Sequence, residues 1–292
     1  MKEVLSPKVA EFEKYFIGIV AVLCGIVFIY LSISGPFFLN IIHYKTSLSG
    51  ISQIKGQDII NLFLMAPLLL TGGVTTLLNK KISIYLLILT PVYLIYYGLS
   101  MGTGIEWGMT NYTGNCEQYT FYFIFLIIGG LLILLNSISK FPKDENISFN
   151  KKPLVVYSIL FAVFIFLFAS MWVKDILEVL EKGGSAAYTQ TPALFWVIRY
   201  FDLGLSIPLG FLSVYFLWTR PVATMSIQFL FYGFFMTTLT AVSSMAVVMF
   251  FEKAPDFTVS GMALFISLTV IVCLGFLYIL SVLRKGKKAA IK

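Results

Sequence analysis

Charge, histidine and cysteine are all scarce in this chain. Only 12% of its 292 residues are charged, against about 25% in a typical soluble domain. A single histidine, His43, and three cysteines at Cys24, Cys116 and Cys273, with no C-x-x-C spacing, leave too few ligands for a zinc centre or a buried, doubly ligated haem. No cofactor or metal is expected. Only Cys116 lies clearly outside apolar sequence, so a structural disulfide is not expected either. No G-x-S-x-G, H-E-x-x-H or phosphate-loop lysine motif is present, and one histidine serves no convincing nucleophile triad. No catalytic residue is assigned.

Apolar sequence is what remains, 59% of the chain. It falls into eight stretches, roughly 15–35, 58–79, 82–103, 119–139, 153–173, 194–219, 222–251 and 258–283. A hydrocarbon core of about 30 Å needs about 20 helical residues, so each stretch can span. Lys and Arg number 3 before the first stretch, 2 at Lys80–Lys81, 4 in the 140–152 loop, 1 at Arg220 and 5 after residue 283. The alternate loops carry 2, 0, 2 and 1, with Arg199 inside the sixth stretch. Basic loops stay cytoplasmic, which predicts both termini inside, in agreement with an even number of spans. The expected fold is therefore an all-α, polytopic helix bundle that is one membrane domain. Its net charge of +7 serves orientation and contact with the lipid bilayer rather than nucleic acid. The first stretch is read as a retained helix: it outruns a signal-peptide core, and Glu3, Glu11 and Glu13 precede it.

The spacing suggests two halves, 1–145 and 146–292. The first and fifth stretches, and the fourth and eighth, begin about 138 residues apart, and Pro67-Leu68 recurs as Pro208-Leu209 after 141. Four helices per half would make a parallel 4+4 repeat about an axis along the membrane normal, although evenly spaced spans mimic such an offset. Thr191-Pro192 reads as a helix start, and Gly183-Gly184 as the close of a charged extension of the fifth helix. Pro67, Pro91 and Pro208 are expected to kink their helices. Ala21 with Gly25, Gly98 with Gly102 and Gly104 with Gly108 suit close crossings, as do Gly72-Gly73 and Gly129-Gly130.

Nine of the fourteen acidic residues fall on the predicted outer side, a face that would attract cations or simply mirror the basic interior. Asp202 stands out, about ten residues into its helix, or about 15 Å along the axis. Charge at that depth turns inward and marks a functional site by default, unless Arg199, three residues earlier, is its local ion partner. Asp58 reads as a carboxylate opening the second helix, or as the counterpart of Asp202 in the other half, with Asn61 one turn further on as an amide ligand. Together Asp58, Asn61, Arg199 and Asp202 form the candidate substrate or ion site. Tyr93, Tyr96 and Tyr97 read as an interfacial aromatic belt or as a ring around a cationic substrate. The hydroxyls of the seventh stretch, Thr237 to Ser244, read as helix-bonded, or as a pathway lining.

The runs Gly56-Gln57-Asp58 to Pro67-Leu68-Leu69-Leu70 and Asp202-Leu203-Gly204-Leu205 to Pro208-Leu209, with Trp218-x-Arg220, resemble an uncharacterised family of prokaryotic multi-span membrane proteins. That resemblance implies a prokaryotic cytoplasmic membrane and no particular activity. Three functional readings remain. The leading one is binding or transport of a small solute or cation through an outward-facing acidic site. A membrane sensor or assembly partner without turnover would pair its polar residues internally. An intramembrane enzyme acting on lipid would need two converging acids.

Overall fold

A computed structural model describes residues 7–142, 149–221 and 223–291. It is all-helical, and among the described residues eight helices are long and apolar enough to cross a membrane. They are α1 (Lys8–Ser34), α2 (Leu48–Leu77), α3 (Ser83–Thr103), α4 (Cys116–Lys140), α5 (Lys151–Lys182), α6 (Pro192–Thr219), α7 (Met225–Glu252) and α8 (Val259–Arg284). Their outsides are apolar: Phe121, Phe166, Leu212 and Leu274 are exposed, whereas Asp58, Asn61, Asp202 and Gln228 are buried. A soluble protein could not sustain that inversion; a bilayer demands it. The chain is a multi-pass membrane protein.

Helix α2 begins ten residues before Asp58, which therefore does not open it. Its N-cap is Ser47, whose Oγ accepts the Gly50 N–H at 3.1 Å. The polar first turns hid this start, but they are paired: Lys55 bridges to Glu252 on α7 and Ser52 donates to the same carboxylate. Gly56 lies between them at the α2–α7 crossing, where an added Cβ would come within 2.4 Å of the Met245 Cα. Other glycines act as expected. A Cβ on Gly73 would reach 2.8 Å from the Gly18 carbonyl on α1, and one on Gly98 would reach 2.7 Å from the Phe123 carbonyl on α4. Gly102 and Gly108 are different: nothing lies within 4 Å of their added Cβ atoms, so they make no close crossing.

The prolines leave a specific mark. Proline has no N–H to return to the carbonyl four residues earlier, and its ring crowds that carbonyl. In α2 and α6 the chain answers with a π turn, Asn61–Met65 ahead of Pro67 and Asp202–Ser206 ahead of Pro208. The Ala66 N–H reaches the Asn61 carbonyl, and the Ile207 N–H reaches the Asp202 carbonyl. By this register the residue matching Asp202 is Asn61, not Asp58. At Pro91 the helix breaks outright between Leu87 and Pro91, with Thr90 Oγ1 donating to the Leu87 carbonyl at 2.9 Å.

Two apolar cores result. One is built by α1 to α4 around Phe28, Leu69, Tyr97 and Leu126, and the other chiefly by α5 to α8 around Phe164, Phe231, Tyr232 and Val272. They meet where α2 packs on α7 and where α3 packs on α6 and α7. Tyr157 and Tyr232 join hydroxyls in the second core, and Gln228 Nε2 donates across to the Ser213 carbonyl at 2.8 Å.

The loops after α1, α3, α5 and α7 gather at one end. Lys45 pairs with Glu117 there. Thr191 occupies the N-cap position of α6, but its hydroxyl bonds back to the Ala187 carbonyl. The cap comes instead from Glu106 in the α3–α4 loop, which accepts the N–H groups of Ala193 at 3.0 Å and Leu194 at 3.3 Å. Burial lifts the Glu106 carboxyl above its ordinary range, although both N–H groups pull it down. The folded state thus holds this proton more tightly than the unfolded chain. Its stabilising contribution is full below the ordinary carboxylate range and is lost as pH rises through the elevated value. In detergent, Glu106→Gln should flatten the melting-temperature profile across that window, while Glu106→Ala, which removes the cap, should cost about 1 kcal/mol. A wild-type profile parallel to that of Glu106→Gln would contradict this.

Candidate functional site

A cavity of about 320 Å³ lies between α2, α3, α5, α6 and α7, with Phe265 of α8 against it, and reaches Thr46, Ala187 and Thr191 at the loop end just described. Its wall is mostly aromatic and aliphatic, with Phe168, Trp172, Phe195 and Phe265 prominent, and Met101, Met245 and Met249 adding deformable surface. Polar groups are few, as in ligand sites generally. Gln57, Tyr93, Tyr96, Arg199, Asp202 and Thr238 are the ones that matter.

Arg199 and Asp202 meet at this wall without bonding to each other. The Arg199 guanidinium stacks between the rings of Phe195 at 3.8 Å and Trp172 at 4.3 Å from the centroids. Its Nη2 pairs with Asp175 on α5, and its Nη1 donates to the Phe195 carbonyl at 3.3 Å. The ion partner of Arg199 is therefore Asp175 rather than Asp202, because Asp175 approaches from the neighbouring helix. Asp202 instead accepts the indole N–H of Trp172 at 2.9 Å, with Ser206 Oγ 3.4 Å from its other oxygen. Trp172 thus offers its face to the cation and its edge to the anion. Asp202 is the one carboxylate among the residues lining the cavity, so the two converging acids of a lipid-cleaving site are not assembled there.

Asp58 and Asn61 stand behind this wall. Asp58 is 1% exposed and turns towards the end of α1, accepting the Phe37 N–H and pressing on Gly35, whose added Cβ would fall 2.3 Å from Oδ2. Asn61 accepts the Tyr93 hydroxyl at 2.7 Å. Tyr93 lines the cavity on its other side, so it separates Asp58 and Asn61 from Asp202 and Arg199. The tyrosine stripe is no interfacial belt. Tyr93 and Tyr97 are each 1% exposed, and Tyr96 rests on Phe201 and Phe234 in the interior.

No protein-family model, curated protein or solved structure matches the chain. The site must be read from its own chemistry. On the predicted outer side, the acids Glu117, Glu178, Glu252 and Asp175 are all bridged to basic residues, and Glu106 is spent on a helix cap. The acidic face is largely neutralised, which leaves Asp202 as the anion offered to a cavity. In α7, Thr237 and Thr240 bond back to their own helix, and Ser243 bonds to Thr269 of α8. Thr238 faces the cavity with its hydroxyl unpartnered. Sequence reasoning singled out Asp202, Arg199 and, among the hydroxyls of the seventh stretch, Thr238, but passed over Trp172 and Gln57 as site residues. An indole inside an apolar run carries no signal of its own.

Proposed function

We propose that this protein binds a small amphipathic solute carrying a basic nitrogen, with Asp202 as its counter-ion, and moves it across the bilayer. The observation that carries this reading is the cavity wall itself: one buried carboxylate among aromatic faces, beside an arginine whose charge Asp175 already balances. A protonated amine gains a charge-assisted bond from Asp202 and cation–π attraction from the rings. An apolar body fills the remaining space. A free alkali cation would find too few oxygens.

A transporter also needs two faces. We take both termini as cytoplasmic, from the loop charge, and the halves as a parallel repeat in a prokaryotic cytoplasmic membrane. Matching π turns 141 residues apart, at Asn61 and at Asp202, favour the repeat. The α2–α7 and α3–α6 contacts also exchange under it. Helices broken by prolines are the elements expected to flex between outward and inward states.

The test is thermal stabilisation of the purified protein by arylalkyl amines, matched against the same skeletons bearing hydroxyl or carboxylate. At 100 times Kd a ligand raises stability by about 2.7 kcal/mol. Amines should raise the melting temperature and the neutral and anionic analogues should not. Equal shifts for all three would reject the amine, and no shift for any would reject the solute.

The bridged outer acids favour a second reading, a membrane sensor or assembly partner with internally paired charges. Amine binding without vesicle uptake would select it.

A further inference from the structure

Asp58 raises a question of charge balance that the solute site does not answer. Four residues or turns pack around it: the Gly35–Phe37 turn after α1, Tyr44 of the following loop, and Tyr93 and Tyr97 of α3. None is cationic. Its Oδ2 is buried without a protein partner, as is the Nδ2 of Asn61 on the same face of α2. An ionised carboxylate in such a place, with one backbone N–H and no counter-charge, is prohibitively costly. Either a proton or a metal cation must neutralise it. A metal cation would need several further oxygens, yet the Asn61 oxygen already accepts from Tyr93, and among the described residues no group of three His, Cys, Asp or Glu side chains comes together.

We propose that Asp58 is a proton-carrying site, loaded and unloaded through the hydroxyl of Tyr93, which forms the wall between Asp58 and the solute cavity. Tyr93 bonds Asn61 on one side and lines the cavity, beside Gln57, on the other. A phenol both donates and accepts. Asp58 unloads when its carboxyl proton passes to the Tyr93 oxygen while Tyr93, turning from Asn61, releases its own hydroxyl proton to the cavity; a carboxylate and a neutral phenol are left, and the reverse sequence reloads the site. Tyr93 and Tyr96 line the same cavity as Asp202 and Arg199, so a change of charge at Asp58 is felt at the solute site. As a coupling ion this proton rests on the solute-binding reading; as an occupant of Asp58 it does not.

The experiment needs no solute. Infrared spectra of the full chain in lipid nanodiscs at neutral pH should contain the carbonyl stretch of a protonated carboxylic acid. That band should disappear in Asp58→Asn and survive in Asp202→Asn. Carbon-13 labelling of aspartate in the Asp202→Asn protein should shift it, which gives the same answer without altering Asp58. A band unaffected by Asp58→Asn and by the label would overturn the proton on Asp58. On transfer to heavy water the band should move, and Tyr93→Phe should slow that exchange at least about tenfold, the factor a modest rise in barrier produces. Equal exchange rates would overturn the route through Tyr93. Amine stabilisation that fails while these results hold would reject the solute alone.

Discussion

Asp202→Asn is expected to weaken arylalkyl amine binding about 50-fold while leaving the fold intact. A hydrogen bond between charged partners contributes about 1.5–3 kcal/mol, and about 1.4 kcal/mol is tenfold in affinity. Asparagine keeps an oxygen for the Trp172 indole, which holds Asp202 at 2.9 Å, so the wall keeps its shape and loses only the charge. The informative control is Arg199→Leu. If the ligand is a cation, removing Arg199 frees Asp175 to add negative charge near the site, and affinity should hold or rise. If the ligand is an anion, the order inverts: Arg199→Leu abolishes binding and Asp202→Asn improves it. Calorimetric titration of both variants reads the sign directly.

The largest effect on stability is expected at Gly56. An added Cβ would meet the Met245 Cα at 2.4 Å, its N at 2.5 Å and the Ser244 carbonyl carbon at 2.7 Å. All three are backbone atoms of a helix, which no rotamer change can move aside. Gly56→Val therefore forces α2 from α7, strains the Lys55–Glu252 bridge beside it and opens the wall carrying Gln57. We expect a loss of about 3 kcal/mol, the upper end for overpacking, and a fall in monodisperse protein on size exclusion. Gly102→Val, whose added Cβ meets nothing within 4 Å, should be tolerated. Equal behaviour of the two variants would mean that α2 and α7 do not cross this closely.

The eight spans were legible because a bilayer imposes a length and an apolar composition on every crossing. Helix starts were less so. The first turns of α2 look like loop sequence, and only pairing with Glu252 and close contact through Gly56 make them helical. Prolines announced irregular helices at three places, but whether each yields a π turn or a break depends on neighbours that periodicity does not specify. The buried charges were found for a physical reason, their cost in an apolar span. Their partners were not, since Asp175 reaches Arg199 from another helix and Glu106 caps α6 from a distant loop. Asp58 and Asp202 do not share the cavity, and the π turns align Asp202 with Asn61 rather than with Asp58; neither is written in the spacing of the carboxylates.

The claim at the centre of this account is that the cavity beside Asp202 is occupied by an amine. A bound structure obtained with a brominated arylalkyl amine tests it most directly. The account predicts bromine among the rings of Phe168, Trp172 and Phe265, with the nitrogen at the Asp202 carboxylate. Bromine elsewhere on the bundle, with this cavity empty at saturating amine, would contradict it.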